Sequence, residues 1–295
     1  MDIEKREYAY YPGCSLEGMA KEFDIATKEV FTRLGIKLSE LADWSCCGAT
    51  AAHYKDRLLA YALPARNLNL VGKSGKSEVA ISCAACFSRL KTTTMQLEHD
   101  SKLKAEVELV LEEKYEGGVK PLHSLEILMQ CVGTARLQAL VTKPLKSLRV
   151  VSYYGCLLVR PPEVATFDDL ENPTSMDKIM ECMGAVAVDW PMKTECCGAS
   201  LTLSKSDWVL NLVEKLLREA KDAKAQVIAV ACPLCQANLD MRQIDLQNQK
   251  RIDFKMPVLY FTQLMALAMG AQKEKLSFHR HLVEVQSTLG AYLNQ

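Results

Sequence analysis

The strongest constraint on this chain is a spacing of cysteines that occurs twice. Ten of the 12 cysteines fall into two matching sets. The first runs Cys14, a gap of 31 residues, the pair Cys46-Cys47, a gap of 35, then Cys83-Ala84-Ala85-Cys86. The second runs Cys156, a gap of 39, the pair Cys196-Cys197, a gap of 34, then Cys232-Pro233-Leu234-Cys235. The flanks repeat as well: Tyr10-Tyr11-Pro12-Gly13-Cys14 beside Tyr153-Tyr154-Gly155-Cys156, Cys46-Cys47-Gly48-Ala49-Thr50 beside Cys196-Cys197-Gly198-Ala199-Ser200, and Val79-Ala80-Ile81-Ser82-Cys83 beside Ile228-Ala229-Val230-Ala231-Cys232. Self-similarity of this kind marks one supersecondary unit made twice, so the fold must be a small unit that works in tandem and carries five cysteines in each copy.

The copies differ mainly before the second Cys-Cys pair, where the Pro- and Asp-rich residues 161–173 have no counterpart in the first half and read as an insertion. The division is expected near Lys143-Pro144, giving domains over 1–145 and 146–295. Strand-like runs over 8–11, 79–82, 150–154 and 227–231 each end at a cysteine, and helical patterns over 17–34, 87–97, 208–223 and 236–247 follow them. Strand, cysteine loop and helix in this recurring order define an α/β fold, two tandem domains with a small parallel sheet flanked by helices in each. Ligands in such folds sit beyond the carboxyl ends of the strands, where the cysteines are. Residues 121–139 carry apolar side chains at three- and four-residue spacing and read as a helix closing the first half. Residues 261–269 and 278–293 read as two more helices, and the charge-rich 98–120 as an exposed helix ending at Gly117-Gly118.

A chain of 295 residues, 49% hydrophobic, buries an adequate core without covalent staples, so the cysteines need a chemical explanation. The charged start Met1-Asp2-Ile3-Glu4-Lys5-Arg6-Glu7 is not expected to be a secretory signal. The most apolar stretch, 258–271, is interrupted by Thr262 and Gln263 and is shorter than the ~20 residues of a membrane span. With 36 basic and 36 acidic residues there is no electrostatic footprint for nucleic acid. The expectation is a cytoplasmic protein with no membrane span. In such a compartment, clustered cysteines serve metals or redox chemistry more often than structural disulfides.

Each Cys-x-x-Cys falls where a strand gives way to a helix, whose amides and positive dipole end favour thiolate, the form that binds metal. Adjacent cysteines direct both sulfurs to one place only through a bent backbone, which Gly48 and Gly198 permit. A lone Cys14 or Cys156 completes five sulfurs per half. A structural zinc uses four ligands, whereas a cluster of several irons can use five. The soft donor set therefore favours iron-sulfur, with zinc in one or both sites as the alternative. A thioredoxin-like reading of Cys232-Pro233-Leu234-Cys235 leaves eight matched cysteines unexplained.

The doubled Cys, Cys-Cys-Gly, Cys-x-x-Cys pattern resembles the cysteine-rich CCG domain family. The stretch Tyr153-Tyr154-Gly155-Cys156-Leu157-Leu158-Val159-Arg160-Pro161, followed by Glu171-Asn172-Pro173 and Glu195-Cys196-Cys197-Gly198-Ala199, is most similar to the B subunit of heterodisulfide reductase. The resemblance spans nearly the whole chain. It implies two non-cubane [4Fe-4S] clusters facing one active site, the first on Cys14, Cys46, Cys47, Cys83 and Cys86 and the second on Cys156, Cys196, Cys197, Cys232 and Cys235. It also implies cleavage or formation of a disulfide in two one-electron steps. No ferredoxin-type Cys-x2-Cys-x2-Cys-x3-Cys-Pro run is present in the sequence, so electrons must pass to or from a partner. The partners that the resemblance implies are a ferredoxin-like subunit and a flavin-bearing subunit of the same complex, with a disulfide or thiol substrate, a protein-bound lipoyl group among the candidates. Two other functions remain open: a CCG electron-transfer subunit of a lactate, glycolate, glycerol-3-phosphate or succinate oxidoreductase, and a zinc-stabilised assembly module.

The remaining candidates have plainer readings. Cys131 and Cys182 are expected as buried packing. His279 and His281 are expected at the surface, His123 as structural, and His53 at a helix start near the first Cys-Cys-Gly. Residues 72–77 look like a phosphate loop but lack its first glycine and precede a strand, so they read as a turn. Lys193, Arg160 and Lys205 are the cations near the second set that could meet an anionic substrate.

Overall fold

The computed structural model describes residues 6–49 and 52–294; most of the charged start, Thr50 and the side chain of His53 lie outside the described residues. Each half forms one four-stranded, all-parallel sheet. In the first, β1 (Glu7–Tyr11), β2 (Lys37–Glu40), β3 (Glu78–Ile81) and β4 (Lys120–His123) lie in the order β2-β1-β3-β4. In the second, β5 (Arg149–Tyr153), β6 (Val186–Ala187), β7 (Val227–Val230) and β8 (Val258–Tyr260) lie in the order β6-β5-β7-β8. The registers match as well, with Ala9 opposite Val79 and Ile81 opposite His123 in one sheet, and Val151 opposite Ile228 and Val230 opposite Tyr260 in the other. The central strands are covered on both faces and so read as nearly unbroken apolar runs; all four residues of β7 are buried. Strand order reverses between β1 and β3 and again between β5 and β7. That switch point is where open parallel sheets leave a crevice for ligands, and each lone cysteine and each Cys-x-x-Cys follows one of these four strands.

Several helices differ from the sequence expectation. Within 17–34 the helix is Lys21–Arg33, and a separate one-turn helix, Gly13–Glu17, precedes it and holds Cys14, which therefore does not sit in a loop. Residues 121–139 do not form one helix. They begin in the edge strand β4, where the missing amide of Pro121 is tolerated, and continue through the short helix Ser124–Glu126 and a π-helical turn Ile127–Val132. Gly133, at φ 80°, breaks that run before the helix Thr134–Ala139. Residues 258–260, likewise, are a strand, followed by the expected helix at Phe261–Ala268. Of the stretch 278–293, only Gln286–Leu293 is α-helical. Before it, Phe278–Arg280 is a single 3-10 turn, and the chain then bends where Leu282 and Val283 donate their amides to the buried Asp240 carboxylate at 2.7 and 3.0 Å. His281 is buried there, against expectation, between Gln236 and Gln263 at 2.9 and 3.0 Å, whereas His279 is exposed. Burial pushes the His281 pKa down to about 4.

One hydrophobic core runs through both halves. Phe23 of the first half stacks on Tyr260 of the second at 4.1 Å between ring centres and meets Phe261 edge-on. Around this contact Arg33 donates to the Met269 carbonyl at 2.7 Å, and Arg280 pairs at 2.8 Å with Glu22, whose side chain is buried. Cys131 and Cys182 are half-buried, packed on the core and not within it. Among the described residues no helix is long and apolar enough to cross a membrane.

Candidate functional site

Both halves wire their five sulfurs alike. The lone cysteine approaches the first member of the Cys-Cys pair, Cys14 to Cys46 at 4.0 Å and Cys156 to Cys196 at 3.9 Å. The second member approaches the last cysteine of Cys-x-x-Cys, Cys47 to Cys86 at 3.3 Å and Cys197 to Cys235 at 3.7 Å. Cys83 and Cys232, the residues that begin each Cys-x-x-Cys, interact with each other across the two halves. The ten sulfurs are thereby brought together at the junction of the sheets. Among the described residues, no three His, Cys, Asp or Glu side chains are grouped to hold a single metal ion.

The backbone supports follow the repeat. Gly48 and Gly198, at φ 75° and 78°, turn the chain so that each amide donates to the sulfur two residues back, Cys46 at 3.4 Å and Cys196 at 3.3 Å. Tyr11 and Tyr153 pin the same loops from below, donating to the carbonyls of Ser45 at 2.8 Å and Glu195 at 2.7 Å, the residues before each pair. These are the equivalent tyrosines. The sequence match of Tyr10-Tyr11 with Tyr153-Tyr154 is thus offset by one residue, and Tyr154 stands where the first half has Pro12. Cys83 and Cys232 occupy the N-caps of the helices Ala84–His99 and Pro233–Asn248, with Cys86 and Cys235 in the first turns.

Protons are shared within these contacts. A hydrogen bond from Cys46, then one from Cys86, lowers the Cys47 pKa to about 3, and Cys46 is raised in return. In the second half Cys156 lowers Cys196 to about 6, and Cys235 lowers Cys197. Cys232 is held well below the usual thiol range by Cys235, then by Cys83, with help from the amides of Cys235 and Leu234 at the helix start. Helix-start amides thus favour thiolate at Cys232, whereas Cys83, Cys86 and Cys235 are pushed above the usual thiol range, chiefly by their cysteine neighbours.

A cavity of about 340 Å³ lies between the halves. The cysteines lining it are the whole second set, Cys156, Cys196, Cys197, Cys232 and Cys235; the first half contributes Ala49, Tyr54, Ala84 and Ala85. The three candidate cations do not line it. Lys193 is buried instead and bonds Asn172 at 3.0 Å, Asp189 at 3.1 Å and Asp177 at 3.5 Å. Its carbonyl accepts the amides of Tyr154 and Gly155, so it fixes the backbone leading into Cys156. Tyr154 donates to Asp177 at 2.8 Å, closing a buried network that the sequence alone did not reveal, since its members lie far apart in the chain.

The insertion has a role in the first half. Phe167 lies parallel to the His123 ring at 6.5 Å and edge-on to Phe87 at 6.3 Å. His123, structural as expected, is fully buried, contacts the Ser82 carbonyl at 2.9 Å and accepts the Leu125 amide at 3.2 Å. Burial lowers its pKa to about 4, so the ring is neutral.

The donor set fits an iron-sulfur group. Five soft sulfurs per half are supported by amides, and the glycine before each lone cysteine leaves room that a side chain would fill. A Cβ on Gly13 would stand 3.0 Å from the Cys86 sulfur, and one on Gly155 3.2 Å from that of Cys235.

Fold and site together define a class: a duplicated parallel α/β protein that presents five clustered cysteines in each copy. The chain belongs to the cysteine-rich CCG domain family, matched over residues 8–91 and 150–240. It is 31% identical to the 8-methylmenaquinol:fumarate reductase membrane anchor subunit of Wolinella succinogenes, covering 95% of this chain and 98% of that one. It is 30% identical to the B subunit of the ferredoxin:CoB-CoM heterodisulfide reductase of Methanosarcina mazei, covering 92% of each. A crystal structure of a hypothetical protein from Helicobacter pylori shares the fold, with a TM-score of 0.72 at 13% identity over 95% of this chain and 52% of that chain.

Proposed function

We propose that this chain is the disulfide-handling subunit of a heterodisulfide-reductase-like complex, with one non-cubane [4Fe-4S] cluster in each of the domains 1–145 and 146–295. Cys14, Cys46, Cys47, Cys83 and Cys86 would hold the first, and Cys156, Cys196, Cys197, Cys232 and Cys235 the second. Bound there, such groups supply one-electron transfer and affinity for sulfur. The observation that carries the reading is the cavity between the halves, which opens onto one complete set of five cysteines while Cys83 and Cys232 link that set to the other. Cleaving a disulfide takes two electrons and two protons and yields two thiols, so a site fed through a second, contiguous site matches the electron count. The protein's own contribution is to orient the sulfurs through Tyr11, Tyr153, Gly48 and Gly198, and to line the cavity with alanine and leucine side chains. The electrons would come through the ferredoxin-like and flavin-bearing subunits of the complex.

Similarity to the fumarate reductase subunit over nearly its whole length supports a second reading, a subunit passing electrons between a quinol and a partner. The readings separate on turnover. Anaerobically purified chain given reduced viologen is expected to convert a disulfide to thiols and to be inactive with a menaquinone analogue. The reverse result would favour the second reading.

A further inference from the structure

The cavity's lining says what charge its substrate carries. Besides the cysteines, the described residues around it are Ala49, Tyr54, Ala84, Ala85, Tyr154, Leu157, Ala199, Ser200, Leu203 and Leu234, among which there is no charged side chain. Lys193, the buried cation whose carbonyl accepts the Tyr154 amide, is committed to Asp177 and Asp189. An anionic ligand would lose its hydration among alanine and leucine side chains, with no cation in the lining to offset its desolvation. A cationic one would lose its hydration against alanine and leucine with no carboxylate to receive it. Leu203 is fully exposed at the rim beside the largely exposed Tyr54, so the approach to the cavity is apolar as well.

We infer that the site selects an uncharged disulfide with a small apolar body, and that Leu203 is a specificity-determining residue at its mouth. This rests on the disulfide reading above. The reaction is RS–SR + 2 e⁻ + 2 H⁺ → 2 RSH: the S–S bond breaks, two S–H bonds form, and a one-electron donor, reduced viologen in the assay, is oxidised twice. The rim leucine acts only on which disulfide reaches the sulfurs.

The test uses full-length chain purified anaerobically, with iron and sulfide quantified, and three probes: bis(2-hydroxyethyl) disulfide, which is neutral, dithiodiacetate, a dianion, and cystamine, a dication. The neutral probe is expected to have a kcat/KM roughly tenfold or more above both charged ones. Leu203→Lys, at an exposed position that the fold does not depend on, is expected to raise kcat/KM for the dianion about fivefold and to lower it for the dication. Equal or higher turnover of the dianion by the wild-type chain would overturn the inference and leave the disulfide reading standing. A chain with full iron and sulfide that reduces none of the three would overturn the disulfide reading, and the inference with it.

Discussion

The two halves share their sulfur wiring but not their surroundings. Cys14–Cys46 and Cys156–Cys196 are nearly equal, at 4.0 and 3.9 Å, and the tyrosine pins and glycine amides are repeated. Around this common frame, only the second set opens onto the cavity, and only the second set is braced by a buried ion network among the described residues. Where Tyr154, Asp177 and Lys193 support Cys156, the first half has Pro12, and Tyr10 reaches Asp24 on a neighbouring helix instead. Duplication kept what holds the sulfurs and varied what reaches them. Under the proposed function, the difference assigns substrate handling to the second site and relay to the first.

The largest effect that can separate the halves comes from the ligands. Cys196→Ser should abolish disulfide reduction, by more than the 10–100-fold typical of a supporting residue, while about half of the iron is retained. Cys46→Ser should lose a similar share of iron but leave binding of the neutral disulfide in place, as measured by equilibrium binding beside turnover. Equal loss of binding in both variants would erase the distinction.

Next is the brace. Lys193→Met leaves the Asp177 carboxylate buried without its cation and should cost about 3–5 kcal/mol in denaturant unfolding, with iron lost from the second site first. Adding Asp177→Asn should recover part of that stability.

Acid tests both halves together, since each buries one neutral imidazole. His123 and His281 have folded pKa values of about 4, below the ordinary 6.5 that they regain on unfolding. Between these values the unfolded chain binds protons that the folded chain refuses. Stability is therefore complete above about pH 6.5 and falls as the pH drops towards 4, by about 3 kcal/mol per histidine. Unfolding midpoints measured from pH 7 to 4.5 should fall steadily, and His123→Gln should flatten the slope. The smallest effect is expected at the insertion. Phe167→Ala removes the ring against His123 and Phe87 and should cost about 1–2 kcal/mol, with any change in cluster spectra confined to the first site.

The cysteine repeat made the α/β class and the central strands β1, β3, β5 and β7 legible, because each is an apolar run ending at a cysteine. The edge strands were not. Lys37–Glu40 is polar and largely exposed, Val186–Ala187 has two residues, and Lys120–His123 merges into a helical pattern around Pro121. These form because a neighbouring strand offers hydrogen bonds, which no local pattern records. In the site, all ten cysteines could be named in advance, whereas their supports could not. Lys193 looked like a cation for a substrate until its carboxylate partners came beside it, Asp177 from a separate helix. His281 is buried for a similar reason, through Gln236 and Gln263.

The proposed function stands on iron-sulfur groups in both five-cysteine sites, and metal and acid-labile sulfide analysis of the anaerobically purified chain tests that occupancy most directly. About eight irons and eight sulfides per chain are expected. Stoichiometric zinc with no sulfide would contradict it.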